Sequence, residues 1–167
     1  DRRGGEGRTR HHAGARRGRS DDDRDAPPDD AAGGLDYDAT FAAPARGVTV
    51  EALDAVVVVI ASATTDDSGN YALTVPLQTT VSLRVKAQMI RAGTPGWDFR
   101  VVDNTNADAL YALVGAPFDS GTADLVVDLN ARSGWDPSAQ AYTSTRSAAP
   151  FAILDTVYDS LQLLLEA

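Results

Sequence analysis

The chain has 167 residues, of which 43% are hydrophobic and 23% are charged, with no cysteine and two adjacent histidines, His11 and His12. A disulfide framework, a cysteine nucleophile and a Cys/His zinc site are therefore excluded. Residues 1–34 carry eight arginines and eight acidic residues, so the whole net charge of -9 belongs to residues 35–167. Because nucleic-acid affinity comes largely from cationic side chains, no nucleic-acid partner is expected.

The first 34 residues contain no Val, Ile, Leu, Met, Phe, Tyr or Trp. Such a segment has too little apolar surface to fold, so residues 1–34 are predicted to be a disordered polar tail or linker. The Arg16-Arg17-Gly18-Arg19 run is also typical of an arm that binds RNA or an anionic surface, but a solvated linker is preferred. No apolar stretch approaches the roughly 20 residues of a membrane span, and no membrane span is predicted.

From Leu35 onward, the apolar residues follow the period of two that is typical of strands with one buried face. The pattern is clearest in residues 81–89, where the odd-numbered positions are apolar and the even-numbered ones polar. Residues 48–52 alternate in the same way, and residues 71–75 follow a predicted turn. Residues 56–60 form a continuous β-branched run, which predicts a strand buried on both faces.

Further strands are predicted at residues 35–41, 97–103, 109–114 and 122–129, separated by segments rich in Asn, Asp, Gly and Pro. This makes seven or eight short strands at regular spacing. The chain is therefore predicted to be mainly β, with an Ig-like or transthyretin-like sandwich over residues 35–130.

The end of the chain changes to a period of three to four residues, which predicts an amphipathic helix over residues 150–167 after a linker at 131–149. Ser147 is a candidate cap, and Pro150 suits the first turn. The apolar stripe reaches the last turn without a terminating Gly, Asn or basic residue, so the helix is interpreted as the start of a following domain and its interface. The stripe consists of Phe151, Leu154, Val157, Tyr158, Leu161, Leu164 and Leu165.

Two stretches suggest a family: Ala45-Arg-Gly-Val-Thr-Val-Glu-Ala52 and Thr65-Asp-Asp-Ser-Gly-Asn-Tyr-Ala-Leu-Thr-Val-Pro76. In the second, Asp66 is expected to cap a tight turn, Gly69 to adopt a positive φ, and Tyr71 to pack inward. This part of the chain resembles the carboxypeptidase regulatory-like, or transthyretin-like, β-sandwich domain. The resemblance implies an accessory module of secreted or surface enzymes that generally carries no catalytic groups.

Three later segments are Trp97-Asp-Phe-Arg-Val-Val-Asp103-Asn-Thr-Asn106, Leu110-Tyr-Ala-Leu113, and Ala148-Ala-Pro-Phe-Ala-Ile-Leu-Asp-Thr-Val-Tyr158. They look like the N-terminal region of large exported bacterial proteins in which the sandwich precedes a zinc-metallopeptidase-like domain. That resemblance implies an extracellular, periplasmic or cell-surface location. The sequence lacks the H-E-x-x-H pattern of such a peptidase. It is therefore interpreted as a non-catalytic fragment, with no catalytic residue and no cofactor.

Two oxygen-rich motifs offer other chemistry. Asp-Ser-Gly occurs at residues 67–69 and 119–121, as in the catalytic loops of aspartic proteases, but it is also an ordinary turn sequence. A second cluster of oxygen ligands has the spacing of a weak calcium loop, although it lacks the Gly and the distal Glu of an EF-hand, and Asx turns are the preferred interpretation. Its residues are Asp103, Asn104, Asn106 and Asp108.

The two tryptophans support an alternative function. Trp97 and Trp135 each lie between a Gly and an Asp, so exposed indoles beside carboxylates could stack on and hydrogen-bond a sugar. The alternative to the accessory module is therefore a carbohydrate-binding module with a glycan or cell-surface partner. A tryptophan at a strand end is more often part of the core, which is the preferred interpretation of both.

Overall fold

The structure is a computed structural model that describes residues 42–166 and, from the N-terminal segment, Arg16–Arg17. It is mainly β, with short antiparallel strands and the C-terminal helix α1 (Ala149–Glu166), as the sequence predicts. The predictions of a disordered tail and of a strand at residues 35–41 otherwise lie outside the described residues. The strands are β1 (Arg16–Arg17), β2 (Ala43–Pro44), β3 (Thr49–Leu53), β4 (Val59–Thr64), β5 (Thr80–Lys86), β6 (Gln88–Arg91), β7 (Trp97–Arg100), β8 (Val102–Asp103), β9 (Ala109–Leu110), β10 (Ala112–Val114), β11 (Phe118–Asp119), β12 (Trp135–Asp136) and β13 (Ala141–Tyr142).

One layer of the fold is a five-stranded antiparallel sheet in the order β10-β5-β3-β4, with β11 also paired to β5. The alternation predicted for β5 is present, because Val81, Leu83 and Val85 are buried while the residues between them are not. In the paired register, Val50 lies opposite Val85 and Ala52 opposite Leu83, so the inner face of the sheet is uniformly apolar.

The second layer contains extended chain that is not paired in a hydrogen-bonded ladder. Tyr71, Leu73 and Val75 are buried with exposed residues between them, which is the pattern of a strand with one face on a core. Val127 packs against the same core, and its carbonyl oxygen accepts a hydrogen bond of 2.9 Å from the Tyr71 hydroxyl. The predicted strands at residues 71–75 and 122–129 therefore face the sheet, but side-chain packing holds them there.

The first half of α1 belongs to this core, contrary to the expectation that the helix packs on a following domain. Phe151 and Leu154 are buried in the same cluster as Val48 and Met89. Residues 131–149 are not a free linker either, since they contain the β12–β13 hairpin and two buried alanines, Ala131 and Ala148. An amphipathic stripe shows that a helix packs on something, but not on what.

The start of α1 is fastened to the chain before the β12–β13 hairpin. Ser147 was predicted to cap the helix, and this prediction is wrong. Its Oγ instead accepts a hydrogen bond of 2.9 Å from the Arg132 amide. The Ala148 amide donates to the Arg132 carbonyl at 2.9 Å, and the Ala148 carbonyl accepts from the amides of Phe151 and Ala152. Pro150 lies in the first turn, as predicted, where a missing N–H is tolerated.

The prediction of a doubly buried strand at residues 56–60 is wrong in its start and its burial, because β4 begins only at Val59 and none of these residues is buried. Asp54 turns the chain instead: its Oδ1 accepts hydrogen bonds from the amides of Val56 at 3.0 Å and Val58 at 2.9 Å. Val57 has a φ of 68°, and the residues from Val56, which is 76% exposed, to Val59, which is 42% exposed, all face outward. We call residues 56–59 the valine tip. Local carboxylate-to-amide bonds override the β propensity of the valines here.

Replacing Val57 with Gly should stabilise the monomer. A β-branched residue is strained at positive φ, whereas glycine adopts that region freely, so Val57→Gly should raise the free energy of unfolding by about 0.5–1 kcal/mol after the entropic cost of glycine. Urea denaturation at low protein concentration measures it. Val56→Gly, at a position without positive φ, is the matched control and should lower stability by a similar amount; equal effects of the two changes would contradict the strain argument.

The outer face of the sheet carries a nearly buried carboxylate. Glu51 is 8% exposed and lies directly across from Arg84, whose Nε is 2.8 Å from Glu51 Oε2. Lys86 Nζ is 3.1 Å from Oε1. Burial alone would raise the pKa of Glu51, but the hydrogen bonds from Arg84 and Lys86 outweigh burial and hold the pKa below its ordinary value.

Glu51 should therefore make stability depend on acid pH. A carboxyl group with a lowered folded-state pKa stabilises the fold above its unfolded-state pKa of about 4.3, and this stabilisation is lost as the pH falls through the folded-state pKa. Glu51→Gln should be less stable than the parent at pH 7, and the gap should shrink toward pH 3. Thermal melts across this range test it; a gap that stays constant with pH would argue against the ion pairs.

Candidate functional site

The contact between α1 and the sandwich centres on the guanidinium of Arg46. Its Nε is 2.7 Å from Asp155 Oδ1, and one terminal nitrogen is 2.6 Å from Asp159 Oδ1. Asp155 is only 2% exposed, and the two aspartates are one turn apart on α1, so one guanidinium bridges two successive turns. The guanidinium carbon of Arg46 (Cζ) also lies 4.9 Å from the centroid of the Tyr158 ring, as in a cation–π contact.

Gly47 allows this close approach. A Cβ at Gly47 would lie 2.8 Å from Cδ2 of Tyr158, and the residue has a φ of 65°, so both space and backbone conformation favour glycine. The hydrogen bond to Asp155 raises the pKa of Arg46 above its ordinary value despite the opposing effect of partial burial. The guanidinium therefore stays charged wherever the protein is folded, and it neutralises a carboxylate that has almost no water around it.

Tyr158 extends the contact to the turn that suggested the family. Its hydroxyl donates a hydrogen bond to the Asp67 carboxylate. Partial burial, together with this hydrogen bond, raises the pKa of Tyr158 to about 12. The phenol is therefore protonated, and acts as a donor, throughout the neutral range.

The turn itself has the geometry expected from its sequence. Asp66 Oδ1 accepts hydrogen bonds of 2.8 Å from the amides of Ser68 and Asn70. Gly69 has a φ of 76°, and Tyr71 is buried at the start of the second layer. Sequence reasoning selected Asp66, Gly69 and Tyr71 but missed Asp67, because only the folded chain brings Tyr158 to it.

Beyond Tyr158, α1 leaves the core. Val157, Tyr158 and Leu161 are half-buried against the sandwich, whereas Leu164 is 74% exposed and its two neighbours also face solvent. We call Leu163, Leu164 and Leu165 the leucine end. The seven stripe residues singled out in the sequence thus divide between core (Phe151, Leu154), margin (Val157, Tyr158, Leu161) and exposed end (Leu164, Leu165).

The candidate calcium residues form the loop between β8 and β9. Asp103 Oδ1 accepts hydrogen bonds from the amide of Thr105 at 2.9 Å and from its hydroxyl at 2.6 Å, which is an Asx turn. Asn104, Asn106 and Asp108 are exposed, and the Asn106 amide donates to the Asp103 carbonyl. In the described part of the chain, no group of three or more His, Cys, Asp or Glu is arranged to hold a metal ion.

The two tryptophans lie on separate hairpins. Trp97, at the start of β7, is half-buried against the core, and the Arg91 guanidinium carbon lies 4.9 Å from its ring centroid. Trp135, in β12, contacts Tyr142 edge to face, with 5.3 Å between the two ring centroids. Each indole thus has a protein partner, and the carbohydrate alternative stays a prediction.

Both Asp-Ser-Gly motifs are turns. Asp119 Oδ1 accepts from the Gly121 amide at 2.6 Å. Ser120 is completely buried, and its Oγ donates to the Pro76 carbonyl at 2.7 Å and accepts from the Thr79 amide at 3.0 Å. In the first motif, the Asp67 carboxylate accepts a hydrogen bond from the Tyr158 hydroxyl.

An apolar groove of about 430 Å³ lies near the second motif. It is lined by Leu83, Pro117, Phe118, Leu125, Val127 and Leu129, among others.

Comparisons with family models, with curated proteins and with solved structures found no match to this chain. Among the helices described, none is long and apolar enough to cross a membrane. The transthyretin-like family assignment therefore stays a prediction from the turn and the strand pattern, while the mainly β fold with its C-terminal helix is observed.

Removing the Arg46 guanidinium should destabilise the protein. Arg46→Met keeps much of the side-chain packing but removes the cation that pairs with the almost fully buried Asp155, so we expect a loss of about 2–3 kcal/mol in the free energy of unfolding. Denaturant unfolding measures it. Arg100→Met is the matched control, because its ion pair with Asp98 is exposed to solvent and should contribute little to stability. Similar losses in both variants would contradict a special role for Arg46.

Proposed function

We propose that this chain is a non-catalytic accessory module of an exported bacterial protein, in which the sandwich holds α1 and presents the leucine end to a following domain. The observation that carries the proposal is the division of α1. Its first half is part of the sandwich core, whereas Leu163, Leu164 and Leu165 at its other end face solvent. Adjacent exposed leucines are typical of a surface that another structure covers.

The contacts of α1 make it a rigid coupler rather than a flexible tether. Arg46 joins the helix to the segment before β3, and Tyr158 joins it to the turn at Asp67. Ser147 and Ala148 fasten its start to Arg132. Because the helix is fixed at both ends of its buried half, the leucine end has a defined direction relative to the sandwich, as a brace between two domains requires.

The carboxylates that offered catalytic or metal-binding chemistry support a structural role instead. Asp103 and Asp119 accept backbone hydrogen bonds within their own turns, and Asp67 accepts a hydrogen bond from the Tyr158 hydroxyl. Any catalysis by the parent protein would then belong to the domain that follows, which the sequence resemblance suggests is metallopeptidase-like.

Polar substitution of the leucine end tests the proposal. In the exported protein carrying its downstream domain, Leu163→Gln with Leu164→Gln should separate the melting of the two domains, because it removes the apolar contact that couples them. In the present chain, the same change should shift the melting midpoint by less than about 2 °C and reduce binding of a hydrophobic dye.

The control is Ile153→Gln, which changes a solvent-exposed residue in the N-terminal half of the same helix. It should leave the coupling between the domains unchanged. If the leucine substitutions melt the present chain at a much lower temperature, the leucine end is part of this core. If coupled melting survives them in the longer protein, the interface lies elsewhere.

A further inference from the structure

The outer edge of β4 is the second unusual surface of this protein. In the described part of the chain, β4 lies at one end of the five-stranded sheet and has β3 as its neighbour. Thr65 donates its amide to the Val48 carbonyl at 3.0 Å. Because hydrogen-bonding direction alternates along an antiparallel strand, the backbone groups of Ala63 also point toward β3, and those of Ser62 and Thr64 point toward the open edge.

This edge lacks the features that usually prevent strands from pairing with another molecule. Natural edges carry lysines, prolines or inward charges, whereas residues 55–65 contain no charged residue and no proline. A bulge beside Ala52 and Leu53 affects only the start of β4. From Ala61 to Thr64, the strand carries small side chains that would not obstruct a neighbouring backbone.

The valine tip adds apolar surface next to this edge. Its four side chains are all exposed, and Val57 combines exposure with a strained φ of 68°. Neither property benefits an isolated monomer, since the strain costs free energy and the exposed valines gain nothing from burial. Burial of these side chains in a contact would offset both.

The lack of charge along this edge suits a second copy as the occupant, because an identical edge is equally neutral and apolar. The net charge of -9 makes two copies repel each other over most of their surface. The uncharged stretch at residues 55–65 is where two copies can approach without bringing carboxylates together. A pairing that uses the same edge on both molecules is related by a twofold axis and closes at two subunits.

We propose that β4 forms the interface of a homodimer, in which the two copies of β4 pair antiparallel across a twofold axis and the two valine tips become buried beside the junction. Backbone groups of Ser62 and Thr64 supply the hydrogen bonds between the strands, and each five-stranded sheet continues into that of the partner. The mode of association is β-strand addition to an exposed edge.

Sedimentation velocity over a range of about 5–200 µM tests this proposal, a range that covers the affinity expected of a small interface. The full chain should show twice its monomer mass at the upper end. Ser62→Lys should remain monomeric, because two like charges meet at the junction. It should also remain folded, because Ser62 is exposed and a lysine there enters solvent rather than the core.

Two further variants keep the outcome decisive. Thr64→Pro removes an amide that points away from β3 and should also abolish the dimer, whereas Thr74→Lys adds the same charge as Ser62→Lys at an exposed site in the other layer and should leave the dimer intact. Leu164→Gln should leave it intact as well, which separates this interface from the leucine end.

A full chain that stays monomeric throughout this range overturns the proposal, as it would if other residues of the same chain cover the edge. A dimer that survives both Ser62→Lys and Thr64→Pro, in variants with unchanged circular dichroism, overturns it too. Loss of the dimer in Leu164→Gln alone would assign self-association to the helix.

Discussion

The ion pair between Arg46 and Asp155 is the interaction on which the arrangement of this protein depends. A carboxylate that is 2% exposed is tolerated in a core only when its charge is neutralised and hydrogen-bonded. Arg46 meets both needs at a point where the chain enters the central sheet. The pair therefore places α1 against the sandwich and selects which face of the helix lies inward, something that apolar packing alone does less specifically.

This selection matters because the two layers of the sandwich are built differently. The β10-β5-β3-β4 sheet is held by backbone hydrogen bonds and a regular register. The opposite layer contains residues 71–75, residues 125–129 and half of α1, which rely on side chains such as Tyr71 and Phe151. A layer without a ladder needs other specific contacts to hold its segments in place, and Arg46, Tyr158 and the Asp66 turn supply them.

The parts of the fold that the sequence predicts well are those in which local pattern and tertiary environment agree. The alternation in β5 reflects one apolar face on the core, and the turn at Asp66 follows from side-chain-to-backbone bonds within five residues. The prediction of a strand from Val56 to Ile60 was wrong because Asp54 also accepts bonds from nearby backbone amides. The spacing of apolar residues carries no information about such bonds. The prediction of a strand at residues 122–129 is confirmed only in its burial, which alternates from residue 125 to residue 129. Within the described residues, the segment has no paired strand, and the period of apolar residues does not indicate a pairing partner.

The candidate site was harder to predict because its residues are far apart in the chain. Arg46 and Asp155 are separated by 109 positions, and nothing in the local sequence of either one indicates the other. The apolar stripe of α1 is evident in the sequence. Its spacing alone does not predict that Phe151 and Leu154 contact the sandwich while Leu164 is exposed. Only the packing geometry divides a continuous apolar stripe into a buried part and an exposed part.

The rigid seating of α1 has a consequence for how any partner domain is oriented. In an α-helix each residue advances the direction of its side chain by about 100° and the axis by about 1.5 Å. Since the helix is immobilised up to Tyr158, the azimuth of Leu164 is set by the number of residues between them. A single inserted residue would rotate the leucine end by more than a quarter turn, whereas four would nearly restore its direction and move it outward by about one helical turn. Under the proposed function, the number of residues between these two side chains would set the angle between the sandwich and the domain that it holds.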